Sequence, residues 1–139
     1  VEKKPGASSK NLTVEFVLDA SALLAVVLGE PGWDVVWSLS GRSVVGAVNY
    51  SEALTKLIRR TGDPRESVAK LAVLRLDVVP FDEQLAWEGT DLAPYAWTHG
   101  LSTGDRACLT LARHLGVPAV TADHAWDIPG LPVQVRLIR

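Results

Sequence analysis

From Val14 to Leu18 the chain reads Val-Glu-Phe-Val-Leu, and this β-branched and aromatic stretch predicts a strand ending at Asp19. Ala20 to Leu28 is apolar nearly all round, which predicts a buried helix. Gly29 and Pro31-Gly32 end it. Trp33, Val36 and Trp37 recur at helical spacing and predict a second helix to Leu39. Ser43 to Val45 is a brief strand. Val48 to Arg60 is a helix with Leu54, Leu57 and Ile58 on one face, stopped by Gly62. Asp63-Pro64-Arg65-Glu66 supplies an N-cap, a first-turn proline and an acid at the third helical position, so a further helix runs to about Leu76. Val78-Val79-Pro80 reads as a strand. Glu83 to about Leu92 reads as a helix, with Pro94 breaking or restarting it. Ser102 to Leu115 is a helix closed by Gly116 and Pro118. Ala119-Val120-Thr121 and Val133 to Val135 are the last strands.

Short strands alternating with helices predict an α/β fold, a single domain with a mainly parallel central sheet flanked by helices. In such sheets ligands bind beyond the carboxyl ends of the strands. The length, 139 residues, suits one domain. Residues 1–12 are expected to be a tag, linker or disordered N-terminus, partly because the chain contains no methionine; the domain is expected to span 13–139.

The formal net charge of −2 argues against a protein that binds nucleic acid through overall charge, while leaving room for a local basic groove. The single cysteine, Cys108, excludes an internal disulfide and a cysteine-based zinc site, and fits a cytoplasmic location. Among Ala107, Leu109 and Leu111 it reads as a small core residue. No apolar run approaches the ~18 residues that would span a membrane.

Four carboxylates stand at the ends of strands or the starts of helices: Asp19, Glu52, Asp105 and Asp123. Each has an ordinary structural explanation. Asp19 and Asp123 can cap helices, Glu52 suits an early helical turn, and Ser102-x-x-Asp105 resembles a capping box. Together they carry more weight, because all four face the same sheet edge. Like charges a few ångströms apart raise each other's pKa, so a four-acid pocket calls for a hard divalent cation, and such a cation points to phosphate chemistry. Ser21 is placed to orient Asp19. Asn49 shares a helix face with Glu52. Gly104 permits a close approach beside Asp105. Asp127 reads as solvent-exposed.

The segments Val17-Leu18-Asp19-Ala20-Ser21-Ala22-Leu23-Leu24, Glu52 near a helix start, Leu101-Ser102-Thr103-Gly104-Asp105 and Val120-Thr121-Ala122-Asp123 resemble, in order and spacing, the PIN-domain ribonucleases. Among these the chain looks most like the VapC toxins of toxin–antitoxin pairs. The resemblance covers Val14 to the C-terminus and implies a divalent-metal-dependent endoribonuclease. Asp19, Glu52 and Asp105 would hold Mg²⁺ or Mn²⁺, and Asp123 would act through water or a second ion. Thr121 and Ser21 match polar positions near the cluster, whereas His124 departs from the family pattern. The resemblance also implies an antitoxin partner of the VapB type, whose tail lies in the groove beside the acids, and a homodimer. It places Trp33 and Trp37 near the partner surface.

RNA needs cations on its route to an acidic site, and Lys56, Arg59, Arg60 and Arg106 are the candidates. Trp33, Trp37, Trp87, Trp97 and Trp126 could stack on bases but read first as core or interface residues. A catalytically degenerate PIN domain that only binds RNA or protein is the alternative. Gly100-Leu101-Ser102-Thr103-Gly104 matches a serine-hydrolase elbow, yet a helical segment precedes it where a strand is required. Receiver domains and aspartate-based phosphatases use a lysine late in the chain, and the last one here is Lys70.

Overall fold

The computed structural model describes residues 13–139; the expected tag or linker lies outside the described residues. Five strands, β1 (Phe16–Leu18), β2 (Ser43–Gly46), β3 (Asp77–Val79), β4 (Ala119–Thr121) and β5 (Val135–Leu137), form one sheet in the order β3-β2-β1-β4-β5. Every pairing is parallel. β1 is central: Leu18 is in register with Val45 on one side and Val120 on the other.

Alternation along β1 divides the core. Leu18 packs with Leu23, Leu24, Val36, Leu57 and Leu71, from α1 (Ala20–Leu28), α2 (Trp33–Leu39), α3 (Ala47–Thr61) and α4 (Pro64–Ala72). Val17 faces the opposite side, with Leu85, Cys108, Leu109 and Trp126. That side is covered by α5 (Glu83–Glu88), α6 (Ala93–His99) and α7 (Thr103–Leu115). Strand order reverses direction between β1 and β4, which makes the cleft beyond their carboxyl ends the expected ligand position.

The predicted elements are present, with three shifts that have local causes. α4 ends at Ala72, where Leu74 N–H donates to the Leu71 carbonyl and Arg75 adopts a positive φ of 52°. The segment predicted as one helix from Glu83 divides: α5 stops at Glu88, a 3₁₀ turn covers Gly89–Leu92, and Pro94 sits in the first turn of α6. The last strand starts at Val135 rather than Val133, because Val133 is buried in the second core cluster before the ladder begins. Only Trp126 among the five tryptophans is buried; Trp33, Trp37, Trp87 and Trp97 are exposed. No single helix among the described residues is long and apolar enough to cross a membrane.

Gly32 ties the α1–α2 turn to the end of the chain. Its φ is 91°, and a Cβ there would lie 2.5 Å from the Ile138 carbonyl oxygen. Gly29 also has a positive φ, 67°, but opens onto empty space. Gly29→Ala should therefore cost about 1 kcal/mol and Gly32→Ala about 2 kcal/mol or more, the difference being steric. Urea unfolding of both variants checks the order.

Candidate active site

Asp19 leaves β1 and caps α1 at once. Its Oδ1 accepts from Ala22 N–H at 2.8 Å and from the Ser21 hydroxyl at 2.7 Å. Its Oδ2 accepts from the Thr121 hydroxyl at the end of β4. The residue is only 5 % exposed. Burial raises its carboxyl from 3.8 to about 6; the bonds from Thr121, Ser21 and Ala22 hold the rise back, and the charge of Asp105 adds to it.

Ser21 and Thr121 join the two strand ends. The Ser21 hydroxyl donates to Asp19 and accepts from Ala122 N–H at 2.9 Å. Thr121 Oγ1 donates to Asp19 and accepts from Asp123 N–H at 3.0 Å. Asp123 is exposed and caps the 3₁₀ turn His124–Trp126, accepting from Ala125 N–H at 2.9 Å.

Glu52 lies half-buried in the second turn of α3 and accepts from Asn49 Nδ2 at 3.0 Å. Its carboxyl is raised, first by burial and then by Asp105, while Lys56 and Asn49 oppose the rise. Across from it, the first turn of α7 carries Gly104. A Cβ at Gly104 would sit 2.6 Å from the Glu52 Cδ, so only glycine lets this carboxylate lie against the helix. Asp105 follows, in a capping box: Ser102 N–H donates to Asp105 Oδ2 at 2.9 Å, and Asp105 N–H donates to Ser102 Oγ at 3.0 Å.

Cys108, fully buried one turn further along α7, reports the convergence. Its thiol is pushed well above the usual range by burial and by the charges of Asp19, Asp105 and Glu52 together. The expected core role is observed; its position beneath three acids had no signal in the sequence. The fourth acid, Asp123, connects to this group through Thr121.

The donor type, carboxylate oxygen, is the one a hard divalent cation takes. A carboxylate oxygen has two acceptor positions. Among the described residues, Asp19 Oδ2 takes one hydrogen bond, Glu52 bonds through Oε1 only and Asp105 through Oδ2 only. Each acid thus keeps acceptor capacity after its structural bonds are made. Among the described residues, no group of three or more His, Cys, Asp or Glu stands close enough together to hold a metal ion as placed.

Of the candidate cations, Lys56, Arg59 and Arg60 are exposed on α3. Lys56 and Arg59 line a groove of about 680 Å³ that also reaches Ser51 and Glu52. Lys56 and Arg60 line a second groove of about 380 Å³ floored by Leu24 and Leu28, with Ser21 at one end. Arg106 differs: it is half-buried and donates to the Gly89 carbonyl at 3.1 Å. His124 Nε2 donates to the Arg139 carbonyl at 2.6 Å, which makes it a strap for the chain end. Asp127 is exposed. Ser102 caps a helix that follows another helix, so the serine-hydrolase elbow is absent.

The fold is a parallel α/β sheet with acids near its topological switch point, where ligands of such sheets bind. The family model for the PIN domain matches residues 16–129, and the chain belongs to this family. No curated protein sequence matches it. The fold is similar to that of a DNA-bound VapBC from Salmonella typhimurium (TM-score 0.74, 16% identity, 91% of this chain and 100% of that one). It is also similar to VapBC-1 from nontypeable Haemophilus influenzae (TM-score 0.68, 18% identity, 88% and 97%). A third similar structure is VapBC-5 from Mycobacterium tuberculosis (TM-score 0.62, 18% identity, 89% of this chain and 98% of that one).

The buried acid predicts a pH signature in metal-free protein. A carboxyl raised from 3.8 to about 6 is fully protonated in both folded and unfolded states below pH 3.8, so it costs nothing there. Between pH 3.8 and about 6 the unfolded chain ionises while the folded carboxyl keeps its proton, so about 3 kcal/mol of stability is lost across that window and no more above it. In EDTA, Asp19→Asn should match the wild type near pH 4 and exceed it by about 3 kcal/mol at pH 8. Urea unfolding across that range reads the difference directly.

Proposed function

We propose that this chain is a divalent-metal-dependent endoribonuclease acting as the toxin of a VapBC-type pair in the cytoplasm. The observation that carries the reading is the convergence of Asp19, Glu52 and Asp105, from three separate elements, over one buried thiol. A structure that buries and crowds carboxylates in this way loses stability unless a cation compensates. Similarity to VapBC structures supports an antitoxin of the VapB type as partner, and self-pairing accompanies the reading.

Asp19, Glu52 and Asp105 would hold Mg²⁺ or Mn²⁺ directly, and Asp123 would contribute through water. When bound, such ions supply charge neutralisation at the phosphate oxygens and a water activated for attack on phosphorus. The protein's own work is placement. Ser21, Thr121 and Ala22 N–H lock the Asp19 carboxylate in one orientation. Asn49 and Gly104 set Glu52 opposite α7. Lys56 and Arg59 lie along the larger groove, where they can grip RNA phosphates on either side of the scissile bond. Arg60 reaches the second groove, and Arg106 acts mainly to hold Gly89. No side-chain nucleophile is required: the Ser21 and Thr121 hydroxyl protons are engaged with Asp19, and Cys108 is sealed from solvent.

Asp105→Asn keeps an oxygen to accept from Ser102 N–H, so the α7 cap and the fold should survive. RNA cleavage with Mg²⁺ or Mn²⁺ should nevertheless fall about 10²-fold or more, and EDTA should abolish it reversibly. Unchanged cleavage by a folded Asp105→Asn protein would sink the mechanism. A wild type that binds RNA and divalent ion but never cuts would instead mark a degenerate PIN domain.

The basic stripe has its own signature. Lys56→Ala should reduce the salt dependence of single-stranded RNA binding by about 0.7 in log–log slope, as expected for one lost phosphate contact. Arg106→Ala should leave that slope unchanged. Fluorescence anisotropy over a salt series measures both.

A further inference from the structure

Asn49 is 2 % exposed and stands one turn before Glu52 on α3. Its amide nitrogen donates twice: to Glu52 Oε1 at 3.0 Å, and to the Gly104 carbonyl at 3.1 Å. The first bond stays on its own helix. The second crosses to the first turn of α7, 55 residues further along the chain. The carbonyl oxygen, Oδ1, is buried and has no partner.

An unpaired buried carbonyl is costly, and it invites an explanation. Turning the amide over would bring Oδ1 against two acceptors, Glu52 and the Gly104 carbonyl, so the donors must face them. Water offers no remedy. The adjoining cavity holds about 10 Å³ and is lined by apolar residues including Val79, Pro80, Leu85, Ala107 and Leu111. A buried water needs two to four polar partners. A leucine of similar volume would remove the unpaired oxygen, giving up in exchange the two bonds that the nitrogen donates.

The two donors point to what is gained. Glu52 is a long side chain near a like charge, Asp105, which raises its carboxyl. Left free, it would swing outward, gaining rotamer freedom and relieving repulsion. Asn49 prevents this from one side, and the bare Cα of Gly104 makes room on the other. Both features serve the placement of one carboxylate.

We propose that Asn49 is a positioning residue that holds Glu52 in the acid cluster and against α7, at the expense of its own unpaired carbonyl. This rests on the reading of the acids as a divalent-metal site. The competing role is a plain clamp between α3 and α7, with Glu52 incidental.

The test uses the full chain and Mn²⁺ as the probe. Metal-free thermal midpoints and calorimetric Mn²⁺ affinities are compared for wild type, Asn49→Leu, Glu52→Gln and the double variant. The expected result is an unchanged or raised midpoint for Asn49→Leu in EDTA, with Mn²⁺ affinity lower by about tenfold or more. In the Glu52→Gln background, Asn49→Leu should cause no further loss, because its effect passes through Glu52. Unchanged Mn²⁺ affinity in Asn49→Leu overturns the proposal and leaves the metal site standing. So does an equal loss in both backgrounds. A wild type that binds no Mn²⁺ at millimolar concentration overturns the metal-site reading, and this inference with it. Should Asn49→Leu fail to fold, Asn49→Ser carries the affinity comparison in both backgrounds on the same criteria.

Discussion

The buried carboxylate of Asp19 is the constraint on which the rest of the site depends. A charge with so little access to water is tolerable only when its oxygens are well supplied with donors. The three donors come from two places far apart in sequence: Ser21 and Ala22 on the first turn of α1, and Thr121 at the end of β4. They meet only because β1 and β4 are parallel neighbours, with Leu18 opposite Val120. The strand pairing therefore does more than build the sheet. It delivers Thr121 to Asp19, and through Thr121 it also fixes the backbone of Asp123. Packing of Cys108 and Leu109 in the same cluster as Val17 brings the first turn of α7, and with it Asp105, to the same edge.

Three of the four acids cap a helical turn as well as facing the pocket: Asp19 at α1, Asp105 within the first turn of α7, and Asp123 at the last 3₁₀ turn. Capping and metal binding are compatible because a carboxylate has more acceptor positions than a cap consumes. Capping would also prepare a carboxylate for a cation. It removes the rotamer freedom that a cation would otherwise have to overcome, and it points the remaining lone pairs along a fixed direction. Glu52 has no cap to hold it, being in the second turn of α3. This explains why it alone needs a neighbour's amide and an adjacent glycine.

The elements were legible because each is written locally. The apolar run after Asp19, the Asp63-Pro64 start and the Gly116 stop act over a few residues, and the observed α1, α4 and α7 begin or end at them. The four acids were legible as points at strand ends and helix starts, and their ordered resemblance to PIN domains supplied the grouping. What escaped was non-local. Nothing in the sequence pairs Asn49 with a carbonyl 55 residues away, or places Cys108 beneath the acids. Arg106 illustrates the same limit: beside Asp105 it reads as a phosphate grip, but the 3₁₀ turn at Gly89 takes up its guanidinium.

The charge balance follows from this arrangement. A chain with a net charge of −2 that concentrates acids at one edge repels phosphate over most of its approaches. The exposed cations near the acids run along one helix, α3, at Lys56, Arg59 and Arg60. Lys56 is one turn from Glu52 and opposes the rise of its carboxyl. It also borders both grooves, one leading past Ser51 and Arg59 and the other past Leu24 and Arg60. The first groove combines Ala47 and Val48 with Ser51, Thr55, Lys56 and Arg59, and the second combines Leu24 and Leu28 with Ser21, Glu30 and Arg60, so both are mixed in character. Lys56 is thus the cation that the two grooves have in common.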